Sequence, residues 1–71
     1  MVDYPSRAGV TEIIAVSPKS FDHALQVGFK RASRTLRGIA GIDVSDFRCK
    51  VENGEIMEYR VALRVTFILD T

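Results

Sequence analysis

The sequence predicts an α+β domain of order β-α-β-β, with one helix packed on a three-stranded antiparallel sheet. Three observations carry this expectation. An amphipathic helical pattern runs from Phe21 to about Leu36, two β-rich runs flank Asn53-Gly54, and a short β-branched run from Val10 to Val16 precedes the helix. The chain has 71 residues, so one domain spans 1–71. A domain of this size buries only roughly 60% of the surface its unfolded chain exposes.

Residues 1–9 are polar and broken by Pro5 and Gly9, which predicts a loose N-terminal arm. Val10 to Val16 then reads as the first strand, bounded by Ser17-Pro18. Ser20, or Ser17 with Pro18 as the first helical residue, supplies an N-cap, and Asp22 in the first turn suits the helix dipole. Within the helix, Phe21, Ala24, Leu25, Gly28, Ala32, Thr35 and Leu36 recur at the spacing of one buried face. Gln26, Lys30, Arg31, Arg34 and Arg37 lie on the other face, and Gly38 is expected to end the helix as a left-handed cap.

Asn53-Gly54 is a hairpin turn signal. After it, Tyr59, Val61, Leu63, Val65, Phe67 and Leu69 alternate with Arg60, Ala62, Arg64, Thr66 and Ile68, as a half-buried strand requires. The strand before the turn changes phase. Ile42 and Val44 are apolar at even positions, Phe47, Cys49 and Val51 at odd ones. A period of two cannot change phase without an extra residue, so a β-bulge is expected at Ser45-Asp46. It turns Asp43, Ser45 and Asp46 outward together. A right-handed crossover from the first strand to the second, with the third slotted between them, gives the sheet order β2-β3-β1. Two edges and one face stay open, and an oligomer would use them.

Ten basic against nine acidic residues, a formal net charge of +1 and 46% apolar residues exclude disorder and argue against a nucleic-acid partner. The one cysteine, Cys49, permits no intrachain disulfide and fits a reducing compartment. No apolar run approaches the ~18–20 residues of a membrane span, and no signal peptide is evident. A soluble cytoplasmic protein without a membrane partner is expected. One histidine gives no Ser-His-Asp or Cys-His constellation, so no enzyme activity is expected.

The β-α-β-β order in this length, with Ser17-Pro18-Lys19-Ser20-Phe21-Asp22-His23-Ala24 opening the helix and Val65-Thr66-Phe67-Ile68-Leu69-Asp70 closing the last strand, resembles the dodecin family. The resemblance implies a hollow homododecamer that, in most members, stores flavin such as FMN or riboflavin. It implies a stacking tryptophan where this chain has Gly41 and a glutamine where it has Arg60. Glycine offers no π-face, so the chain looks more like the calcium dodecin branch, which lacks that tryptophan. Some dodecins bind coenzyme A, and Lys30, Arg31, Arg34 and Arg37 are basic residues suited to its phosphates.

Calcium takes six to eight oxygens from carboxylates, carbonyls, hydroxyls and water. Asp43, Ser45 and Asp46 are therefore the expected metal ligands, with Glu12 a further candidate and neighbouring chains supplying the rest. The other reading of these acids is ion pairing with Arg48, Arg60 or Arg64, worth about 0–1 kcal/mol per pair. The function expected from residues and resemblance together is non-enzymatic calcium binding or storage by a homododecamer. Flavin or coenzyme A storage is the alternative, with Arg60 as the flavin contact.

Overall fold

The computed structural model describes residues 8–69. Strand β1 (Ala8–Ser17) leads to helix α1 (Phe21–Thr35), and the hairpin β2 (Ile39–Glu52) and β3 (Glu55–Ile68) follows. The sheet order is β1-β3-β2, with β3 central and antiparallel to both neighbours. This is the expected fold. Ala8 and Gly9, expected in the arm, belong to β1 because they pair with Ile68 and Phe67. The rest of the arm, 1–7, lies outside the described residues.

Helix α1 starts where Ser20 caps it: its hydroxyl accepts the His23 backbone N–H at 2.9 Å. It ends at Thr35, and Leu36 closes it by donating its N–H to the Ala32 carbonyl. Gly38 is left-handed (φ 69°) but lies two residues beyond that cap. It turns the chain into β2, and its carbonyl accepts the Ile68 N–H at 2.9 Å. The expected glycine cap is therefore a connection to the sheet, because extended Leu36 already completes the helix.

Ala24, Gly28 and Ala32 form the buried stripe of α1, and Ala15, Val61, Leu63 and Val65 oppose it from the sheet. The helix comes close because these residues are small. A Cβ at Gly28 would lie 2.6 Å from Leu63 Cδ1 and 3.0 Å from Ala15 Cβ. Tyr59 and Phe47 both meet the ring of Phe21 edge-on, at 5.1 Å between centroids.

The expected bulge is present: the β2–β3 register shifts between Val44 and Asp46, with Ser45 as the extra residue. Val44 and Phe47 consequently both face inward, opposite Leu63 and Val61. Two further shifts occur, one at Ala40 and one between Lys50 and Val51.

The hairpin outruns its cover. Pairing of β1 with β3 stops at Ser17 opposite Tyr59, so beyond Cys49 the hairpin is a two-stranded ribbon. The described residues extend 51 Å along their longest axis and 14 Å along their shortest. Cys49, expected in the core, is exposed because it sits on edge strand β2 in the last row that β1 reaches. Val51, Ile56 and Met57 are exposed because they lie beyond the reach of β1, and Leu69, expected inward, is exposed past the end of β3. Thr66, expected on the open face, is buried between Val10 of β1 and Gly41 of β2.

Candidate ligand site on the outer sheet face

The sheet face turned away from α1 carries the residues between the buried positions of β3, and the register arranges them in rows. Glu12, Arg64 and Asp43 form one row; Ile14, Ala62 and Asp46 the next; Val16, Arg60 and Arg48 the third. Each row crosses β1, β3 and β2 in that order.

The four expected metal ligands lie on this face without converging. Glu12 and Asp43 sit on opposite edge strands, roughly 10 Å apart at two strand spacings, with Arg64 between them. A guanidinium nitrogen of Arg64 is 3.5 Å from the Glu12 carboxylate. The Ser45 hydroxyl donates to the Ala62 carbonyl at 3.1 Å, so the bulge residue satisfies a carbonyl of its own ladder. The Asp46 carboxylate accepts a hydrogen bond from Arg48 Nε at 2.8 Å. Among the described residues, no group of three or more His, Cys, Asp or Glu side chains is placed to hold a metal ion. One chain thus presents Asp43 and Asp46 on one edge strand and leaves the other oxygens of a calcium shell unsupplied.

Arg60, the expected flavin contact, stands opposite Arg48 in the register. Like charges directly opposite on one face repel, and each guanidinium has an acid two residues away on its own strand. Arg48 pairs with Asp46 and Arg60 with Glu58, at 2.8 and 3.5 Å. Glu58 is half-buried, with one carboxylate oxygen enclosed and without a hydrogen bond. The two arginines separate two open cavities. One, of about 300 Å³, is lined by Ile14, Asp46, Arg48, Arg60 and Ala62. The other, of about 270 Å³, is lined by the same arginines with Cys49, Lys50 and Glu58. Cavities of this size are at the small end of the range for organic ligands. Paired guanidinium groups suit phosphate, carboxylate or carbonyl oxygens. Sequence reasoning named Arg48 only as an ion-pair partner, because its place beside Arg60 depends on an extra residue near Met57.

A serine and a histidine do meet elsewhere. The Ser17 hydroxyl is 2.6 Å from His23 Nδ1 and accepts the Lys19 N–H at 2.9 Å. Ser17 is fully buried, so this contact ties the end of β1 to the first turn of α1 and offers no accessible nucleophile.

A family model described as dodecin matches residues 8–70, nearly the whole chain. The chain belongs to the dodecin family. It is 30% identical to a curated dodecin of Thermus thermophilus over 59 residues, covering 83% of this chain and 86% of that one. The structure of dodecin from Streptomyces coelicolor superposes with a TM-score of 0.86 at 33% identity, covering 90% of this chain and 91% of the other. A calcium-chelating dodecin of Mycobacterium tuberculosis superposes with a TM-score of 0.79 at 30% identity, covering 92% and 93%. This chain is thus somewhat more similar in sequence and fold to a relative not described by calcium than to the one that is. No helix of the described residues is long and apolar enough to cross a membrane.

Proposed function

We propose that this dodecin is a non-enzymatic subunit of a homododecamer that binds and stores a small organic ligand with anionic or carbonyl oxygens. FMN is the leading candidate, with riboflavin and coenzyme A as related ones. The observation that carries this reading is the adjacent pair Arg48 and Arg60, set across β2 and β3 beside the cavity floored by Ala62 and Ile14. Arg60 and Arg48 donate to the ligand's oxygens, while Ile14 and Ala62 give its apolar part a surface. Gly41 supplies no stacking ring, so charge-assisted hydrogen bonds contribute a larger share of the binding. The exposed free thiol of Cys49 suits a cytoplasmic, reducing setting.

Titration calorimetry with FMN and riboflavin tests this reading. FMN is expected to bind more tightly than riboflavin, because only FMN brings a phosphate to the arginines. A charge-assisted hydrogen bond contributes about 1.5–3 kcal/mol, so Arg60→Ala is expected to weaken FMN binding about 10- to 100-fold. Absence of FMN binding to the assembled protein would sink the proposal.

Similarity to the calcium-chelating dodecin favours a second reading. Asp43 has no cation within ion-pair distance among the described residues. In this reading, Asp43 and Asp46, with Ser45 and a Glu12 contributed by another copy, surround a calcium ion at an interface. Calcium would compete with Arg48 for Asp46. Calorimetry of metal-free protein with calcium, repeated with Asp43→Asn and Asp46→Asn, separates the readings: calcium heat abolished by both substitutions supports the metal site.

A further inference from the structure

We propose that the outer face of α1 is a docking surface for the phosphate backbone of duplex nucleic acid, distinct from the sheet-face ligand site. The ten basic and nine acidic residues nearly cancel in the whole chain, but the fold separates them. On the sheet and hairpin, Arg48, Lys50, Arg60 and Arg64 each lie within ion-pair distance of a carboxylate. On and just after the helix, Lys30, Arg31, Arg34 and Arg37 are all exposed, and none has a carboxylate partner among the described residues.

Their spacing groups them at one end of the helix. Lys30 and Arg34 are four residues apart on α1, so they share the helix face opposite Ala24, Gly28 and Ala32, and Arg37 follows just past the end of the helix. Lys30 and Arg34 are about 6 Å apart along the axis. Val27, Lys30, Arg31 and Arg34 surround a shallow depression of about 180 Å³, which gives one phosphate group a seat among three cations. The helix dipole accounts for Arg34 in the last turn. It does not reach Lys30 and Arg31 a turn earlier, where like charges four apart oppose helix formation.

Self-association through the sheet and hairpin would leave this ridge uncovered. The exposed apolar residues that need cover, among them Val10, Ile14, Phe47, Val51 and Ile56, lie on the sheet and hairpin, and only Phe29 is comparable on α1. Copies packed through the sheet side would display repeated cationic ridges, and repetition converts weak single contacts into avidity. A polyanion with evenly repeated charge matches such an array. A lipid surface fits less well, because Phe29 is the one exposed large apolar side chain on α1 among the described residues.

Fluorescence anisotropy of a labelled duplex DNA with the full chain, across a range of salt, tests this. Binding is expected at low salt and falls as salt rises. Arg34→Gln is expected to reduce the slope of log affinity against log salt by about 0.9 for each chain engaged with the duplex, the loss of one phosphate contact per chain. Arg64→Gln, which removes the same charge from the sheet, leaves that slope unchanged. Sedimentation of each variant checks that the assembly is intact, and Lys30→Gln provides a second ridge variant. No duplex binding at low salt, or equal loss with Arg34→Gln and Arg64→Gln, overturns the proposal. Ridge-dependent binding to vesicles of phosphatidylglycerol and phosphatidylcholine without duplex binding also overturns it.

Discussion

Two residues set how the helix meets the sheet. At Gly28, a methyl group has no room beside Leu63 Cδ1 and Ala15 Cβ. Overpacking a core costs about 1–3 kcal/mol, and the better helix propensity of alanine returns up to about 1 kcal/mol. Gly28→Ala is therefore expected to lower stability by about 1–2 kcal/mol, read as a lower urea midpoint at unchanged slope. Ser20→Ala removes the acceptor of the His23 N–H and is expected to cost about 1 kcal/mol in the same measurement. Both roles were legible in the sequence, since a capping serine and a stripe of small residues at helical spacing have local signatures. The partner of Arg48 was not. Counting back from Asn53-Gly54 puts Arg48 opposite Tyr59, but the register shift near Met57 moves it opposite Arg60. A one-residue shift in an exposed ribbon leaves no hydrophobic pattern to reveal it, because neither face there is buried.

Among the elements, β2 carries the information that decides the site. Its change of apolar parity predicted the bulge at Ser45, because Val44 and Phe47 must both face the core. The bulge brings Asp43 and Asp46 to the outer face, as expected, while the Ser45 hydroxyl turns to the Ala62 carbonyl. Deleting Ser45 would place Ile42 and Val44 outside or Phe47 and Cys49 out of register. The deletion variant is expected to lose the cooperative thermal transition of the wild type in circular dichroism. A cooperative melt within a few degrees of wild type would count against the bulge as the device that sets the register. The length of the hairpin was legible, but its lack of cover was not. Alternation implied a core position for Cys49, whereas its place on edge strand β2, in the last row that β1 reaches, decides its exposure.

At the scale of the whole molecule, a thin sheet with one helix leaves Val51, Ile56 and Met57 exposed on a projecting ribbon, with exposed Phe47 near its base. Exposed apolar residues grouped in this way mark an interaction surface, and the free edges of β1 and β2 add unpaired backbone groups. Ile56→Lys is expected to shift sedimentation toward smaller species while the isolated chain keeps its α1–sheet contacts, because Ile56 lies on the two-stranded part of the hairpin, beyond the residues of β3 that pair with β1. The open edges of the expected sheet anticipated association but not which surface drives it. The ligand, too, depends on this scale. The resemblance to dodecins was legible across nearly the whole chain, whereas the arginine pair emerged only once β2 and β3 were in register. The central claim is a twelve-chain assembly that holds an anionic organic ligand between arginines, and native mass spectrometry after addition of FMN tests it most directly. The expected spectrum has the mass of twelve chains with FMN retained, and Arg60→Ala keeps the twelve-chain mass while losing the ligand. A monomer, or a twelve-chain species that carries no FMN, would contradict it.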